Sequence, residues 1–175
     1  MKGILLSVAL VVGVTACASV PQRIEQMAWG TYVYVPTEGN RYADSLADLT
    51  ARLTAHGLTI EVVDTQGHGF GLNFGNGRIV LSQDLSVDGQ FEVLAHEAGH
   101  LFHPHSMETS VKEMFAELVG LQVQQFYGST VAESASMAYL AQHKHAMIFY
   151  PILKPEIDRA TKILTGQLPW PRESC

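Results

Sequence analysis

Residues 93–103 read VLAHEAGHLFH, and the phase of this stretch decides how the rest of the chain must fold around it. At about 100° per residue, Phe91, Leu94, Ala95, Ala98, Leu101 and Phe102 share one broad apolar face, the stripe of a core-facing helix. His96 and His100 fall on the opposite side, one helical turn apart, where two imidazoles reach a single metal ion. A pair of core histidines would lie inside the stripe, and this pair does not. Glu97 completes an HExxH pattern, in which the carboxylate beside the first ligand holds and deprotonates a metal-activated water. The stretch therefore predicts a zinc site with His96 and His100 as ligands and Glu97 as general base.

A hydrolytic zinc keeps three protein ligands and one open position. His103 has a suitable phase but stands about 10.5 Å along a straight helix from His96, too far for one tetrahedral ion. It is expected as a hydrogen-bonding neighbour of the site or as a surface residue. The next helix, expected from Met107 or Ser110 to Phe126, offers Glu108, Glu113 and Glu117. Val111, Met114, Phe115, Leu118 and Gln122 form its mainly apolar stripe. Glu113, Glu117, Gly120 and Gln124 lie opposite. One of the two glutamates can take the metal while the other hydrogen-bonds an imidazole N–H. Glu113 is the preferred ligand and Glu117 the supporting group, with Glu108 and Glu117 as the alternatives. Ser110-x-x-Glu113 also reads as a capping box, the competing explanation for an acidic residue there. Gly120 would let a second backbone approach closely.

Upstream, TYVYV at 31–35 reads as a strand stopped by Pro36. A helix from Asn40 carries Leu46, Leu49 and Leu53 and stops at Gly57. LTIEVVD at 58–64 reads as a strand. Gly69–Phe74 and Arg78–Ser82 flank a Gly-Asn-Gly tip, a hairpin signal. The metal helix is expected to begin after Asp88-Gly89. Downstream, Thr130-x-x-Glu133 looks like a capping box that opens a third helix running to Phe149 and ended by Pro151. Pro155 is expected near the first turn of a last helix, which stops at Gly166. A helix, a few strands and then only helices make an α+β fold with a small, mainly antiparallel sheet.

The chain has 175 residues, 47% hydrophobic and 16% charged, with a formal net charge of −6. That suits a single globular domain and gives no electrostatic case for nucleic acid. Lys2 followed by the short apolar run Ile4–Val14 reads as an export signal, too short to span a bilayer as a helix. Val14-Thr15-Ala16-Cys17 resembles the lipobox of bacterial lipoproteins. The resemblance implies cleavage after residue 16 and a mature chain beginning at acylated Cys17. It also implies a lipid-anchored protein of the cell envelope, in the outer membrane facing the periplasm. Residues 1–16 are thus expected as signal, 17–30 as tether and 31–175 as one domain. Acylation of Cys17 would leave Cys175 without an internal partner; a Cys17–Cys175 bridge is the alternative.

HEAGH followed by Glu113-Met-Phe-Ala-Glu117 resembles the gluzincin arrangement, HExxH and then an acidic pair on the following helix. GFGLNFGNGRIVLSQDL, GQFEVLAHEAGHLFHP and EMFAELVG together resemble the ImmA/IrrE-type metallopeptidases, over roughly residues 45–126. The resemblance implies a zincin-like fold, with His96, His100 and Glu113 on Zn2+ and Glu97 as base. Members of that type are mostly cytoplasmic and often cleave repressors, a substrate that a lipid-anchored protein cannot share. The expected activity is peptide-bond hydrolysis in the envelope. Tyr139, His143, His145 and Tyr127 are candidate oxyanion donors, and Arg78–Ser82 is the strand on which an extended peptide or protein substrate would pair. Two rival expectations stand beside it: a non-catalytic zinc-binding envelope lipoprotein, and an amidase acting on another envelope amide.

Overall fold

A computed structural model describes residues 39–65, 70–104, 106–129 and 133–171. The expected signal, Cys17, the 31–35 strand, the Thr130 cap and Cys175 lie outside these residues. The order is α1 (Ala43–Ala55), β1 (Thr59–Val63), β2 (Gly71–Asn73), β3 (Arg78–Ser82), α2 (Val87–Gly99), α3 (Thr109–Phe126) and α4 (Glu133–Gln142). A 3-10 segment, Lys144–Phe149, leads into α5 (Tyr150–Leu164). The class is α+β. No helix among the described residues is long and apolar enough to cross a membrane.

The sheet corrects the expectation of a mainly antiparallel arrangement: it is mixed, in the order β1-β3-β2. β3 runs parallel to β1 from Thr59↔Arg78 to Val63↔Ser82, and antiparallel to β2 from Gly71↔Leu81 to Asn73↔Ile79. The hairpin itself forms as expected. Gly75 and Gly77 take φ of 71° and 84°, and the Asn73 side chain accepts from the Gly75 N–H at 2.8 Å. Because the chain reaches β2 before turning back, β3 is inserted in the middle, alongside β1. Both edges of β3 are therefore occupied, so Arg78–Ser82 cannot be the strand that pairs with a substrate. Its four consecutive buried residues, Ile79 to Ser82, are those of a central strand. β2 is the edge beside it.

α2 starts at Val87, three residues before the start expected after Asp88-Gly89. Ser86 caps it, its hydroxyl accepting from the Gly89 N–H at 3.1 Å, and Asp88 in the first turn accepts from the Tyr42 N–H at 2.9 Å. Within the helix its apolar stripe is buried as phased, Phe91, Leu94, Ala95 and Ala98 being at most 1% exposed, whereas Leu101 and Phe102 lie past its end and are half-buried. The four buried residues pack with Met114, Phe115 and Leu118 of α3, Ile79 and Leu81 of the sheet, Leu49 and Leu53 of α1 and Ile157 of α5. Truncating Phe91 or Phe115 to alanine in such a setting costs about 3–5 kcal/mol.

The last third departs most from expectation. The third helix stops at Gln142, and the chain tightens into the 3-10 turn before α5. Pro151 does not end a helix but sits in the first turn of α5, where its missing N–H is not needed. Pro155 then lies inside that helix rather than near its start.

Candidate metal centre

Two glycines set the distance between α2 and α3. A Cβ on Gly99 would stand 2.7 Å from the Ala116 carbonyl oxygen, and one on Gly120 would stand 3.0 Å from the His96 nitrogen. With no side chains at these two points the backbones meet directly. Side chains from the facing flanks of the two helices then converge.

His96 Nε2 and His100 Nε2 are 3.2 Å apart, and Glu113 Oε2 lies 3.5 Å from the first and 3.7 Å from the second. Three such atoms, each about 2.0–2.1 Å from a tetrahedral zinc, would stand about 3.3–3.4 Å from one another. The triangle thus has the dimensions of one face of that tetrahedron. His96, His100 and Glu113 form a group that could hold a metal ion.

Each member of the triad is held from behind. His96 Nδ1 lies 2.7 Å from Glu117 Oε2. With Nε2 turned to the triangle, Nδ1 carries the proton and donates to that carboxylate. His100 Nδ1 lies 3.2 Å from His103 Nε2, and His103 Nδ1 lies 3.3 Å from the Pro104 carbonyl. His103 is therefore the hydrogen-bonding neighbour of His100, because the helix ends at Gly99 and the next turn brings its ring back. Tyr139 of α4 donates its hydroxyl to Glu113 Oε2 at 2.8 Å. Glu108 is exposed at the start of α3 and lies outside the group. Ser110 does not cap that helix, so the capping-box account of Glu113 does not apply.

The electrostatics follow from this packing. Burial disfavours a charge on His96, but the Glu113 and Glu117 carboxylates outweigh it and raise its pKa to about 10. Burial and the neighbouring positive His96 push His100 down to about 4. The His96 imidazole holds Glu113 down to about 2 against the opposing effect of burial, with help from the Tyr139 hydroxyl. Glu97 is 8% exposed, and burial raises its carboxyl above the usual range. Burial and the Glu113 carboxylate raise Tyr139 in turn.

A cavity of about 220 Å³ opens beside the triad, between the start of β2 (Gly71, with Phe70 just before it), α2 (Val93, His96, Glu97) and α4 (Ser136, Tyr139). Gly71 is what lets the strand pass over Glu97. A Cβ there would stand 2.3 Å from Val93 Cγ1 and 3.1 Å from Glu97 Oε1. Asn73 pins the strand to the helix, its Nδ2 donating to the Glu97 carbonyl at 3.0 Å.

Of the other candidates, His143 packs its ring 5.0 Å from that of Tyr139, and burial lowers its pKa. His145 is exposed on the 3-10 segment. Tyr127 lies elsewhere, its hydroxyl on Asp48 and its ring against Phe91. Gly71 and Ser136 have no counterpart in the sequence reading. A glycine inside a strand pattern is a signal of close backbone approach; a serine on a helix carries no comparable signal. Compared with protein-family models, curated proteins and solved structures, the chain gives no significant match to any of them.

Proposed function

We propose that the protein is a zinc-dependent peptidase of the bacterial cell envelope. The observation that carries the reading is the triangle of His96 Nε2, His100 Nε2 and Glu113 Oε2, which has tetrahedral spacing and a buried carboxylate and a cavity beside it. Two imidazoles and one carboxylate are a catalytic rather than a structural donor set, since structural zinc sites are closed by four protein ligands. They suit zinc better than calcium or magnesium, which prefer oxygen. Zinc bound there supplies Lewis acidity and lowers the pKa of water toward neutrality.

The chain's own residues do the rest. Glu97 takes a proton from the attacking water and returns it to the leaving amine as the C–N bond breaks. Its burial and raised pKa bring it nearer the range in which a base can do both. Tyr139 orients Glu113, Glu117 orients His96, and His103 orients His100.

The substrate strand adds to the edge of β2. Phe70 O accepts from Ser82 N, and Phe74 N donates to Arg78 O, so the backbone groups of these residues face β3. By alternation those of Gly71 and Asn73 face the open edge, above Glu97. The likeness of HEAGH and EMFAE to gluzincins supports the class, and the lipobox-like VTAC at 14–17 supports the lipid anchor.

The test is zinc content and peptide-library cleavage by the wild type beside Glu97→Gln. The variant should bind one zinc per chain and lose cleavage. A wild type that binds zinc and cleaves no peptide would end the peptidase reading. Hydrolysis of a non-peptide envelope amide by that protein would then favour the amidase alternative, and no hydrolysis at all the zinc-binding lipoprotein.

A further inference from the structure

Ser136 is 1% exposed, lines the cavity, and its hydroxyl has no hydrogen-bond partner among the described residues. Buried hydroxyls are almost always paired, and an unpaired one lowers stability unless something else comes to meet it.

The donor inventory of the cavity says what that would be. The described side chains on its wall that can donate are His96, Tyr139 and Ser136. Tyr139 gives its one proton to Glu113, and His96 Nδ1 faces Glu117 while its Nε2 belongs to the triad. Glu92, Glu97 and Glu117 contribute carboxylates, which serve the N–H groups of a ligand but not its carbonyls. The Ser136 O–H is the side-chain donor left over. It stands one helical turn before Tyr139 on α4, and Gly71 of β2 lines the same cavity. The volume, about 220 Å³, is below the usual range of about 300–1,000 Å³ for sites that enclose a whole small molecule. It suits one residue of an extended chain.

Resting on the peptidase reading, we infer that Ser136 is a substrate-positioning residue. Its hydroxyl donates to a backbone carbonyl oxygen of a peptide held between the β2 edge and α4. The carbonyl is one that does not react, since the α4 side chain that reaches the triad is Tyr139, with its hydroxyl on Glu113 Oε2 and its ring against that of His96. The contact is therefore the same in the ground state and the transition state, and it acts on KM rather than kcat.

The experiment uses the full, zinc-loaded chain and a fluorogenic peptide that the wild type cleaves. Ser136→Ala should keep one zinc per chain and an equal or higher melting temperature, because it removes a hydroxyl with no partner among the described residues. KM should rise roughly 5- to 30-fold with kcat within about twofold. Ser136→Thr, which keeps the donor, should recover most of the loss. A KM equal to wild type in Ser136→Ala overturns the contact and leaves the peptidase reading standing. A loss confined to kcat overturns the ground-state assignment, as does a loss that threonine repeats in full. A wild type that holds zinc and cleaves no peptide brings down the peptidase reading, and this contact with it.

Discussion

Gly120 of α3 lies against the backbone of His96 in α2, so close that a Cβ on the glycine would stand 3.0 Å from the His96 nitrogen and 3.1 Å from its Cα. The candidate metal site is thus a property of the helix crossing as much as of its side chains. Glu113 and Glu117 reach the histidines only because nothing separates the two backbones at Gly120 and Gly99. Gly99→Ala must push Ala116 away, since its Cβ would meet that carbonyl oxygen at 2.7 Å. A net destabilisation of about 1–3 kcal/mol is expected, after some offset from alanine's better helix propensity. Gly120→Ala should cost less, and both should weaken zinc binding. Urea unfolding and competition with a chromophoric chelator measure the two effects. A Gly99→Ala protein more stable than wild type, with unchanged zinc affinity, would contradict this account of the crossing.

The partners behind the ligands should rank by burial. Glu113→Ala removes one of the three proposed ligands and should lower zinc affinity most. Glu117→Ala leaves the His96 Nδ1–H without its carboxylate partner at 2.7 Å, and a loss of about 10- to 100-fold is expected. His103→Ala should have the mildest effect, because its ring is only partly buried and water can replace it on His100. Metal titration of the three variants checks the order. Glu117→Ala binding zinc as tightly as wild type would mean that His96 needs no such orientation.

Tyr139→Phe separates two roles for one hydroxyl. As a group that orients Glu113, its loss should weaken zinc binding about 2- to 10-fold and leave kcat of the zinc-saturated enzyme within a fewfold. As an oxyanion donor, its loss would lower kcat by about 100- to 1,000-fold with zinc affinity intact. The first pattern is expected, because the phenol has one proton and Glu113 receives it.

Helical phase carried much of this site from the sequence. It separated His96 and His100 from the stripe of Phe91, Leu94 and Ala95, and it put Glu113 and Glu117 on one face of the next helix. Periodicity reports what faces the core, so it reached these residues. It does not report which strand inserts where: the Arg78–Ser82 run reads as an open strand, whereas its continuous burial is that of the central one. The helix boundaries at Asp88 and Pro151 differ from expectation because turn and cap residues overlap: Ser86 three residues before Gly89 is a cap, and a proline can open a helix as well as end one. Ser136 was out of reach for another reason. Its significance lies in having no hydrogen-bond partner among the described residues, and only the packed structure can show that.

The metal-free site should hold a proton that zinc has to displace. His96, between Glu113 and Glu117, has its pKa raised to about 10, whereas burial and His96 lower that of His100 to about 4. At neutral pH the metal-free protein therefore carries an imidazolium at His96, a neutral His100 and an ionised Glu113. Zinc can take His96 Nε2 only after the proton leaves, while the Nδ1 proton stays toward Glu117. Binding should release about one proton per zinc between pH 5 and 9, and apparent affinity should rise about tenfold per pH unit, levelling off above about 10. The sign for stability is opposite. The folded pKa is above the ordinary histidine value, so this contribution to the metal-free fold is complete below about pH 6.5 and fades as pH rises toward 10. Metal-free protein should lose stability over that interval while its zinc affinity grows. Calorimetry of zinc binding in buffers of different ionisation enthalpy counts the protons. A count near zero at pH 7 would mean that His96 is already neutral, and that Glu113 and Glu117 do not act on it together as their distances suggest.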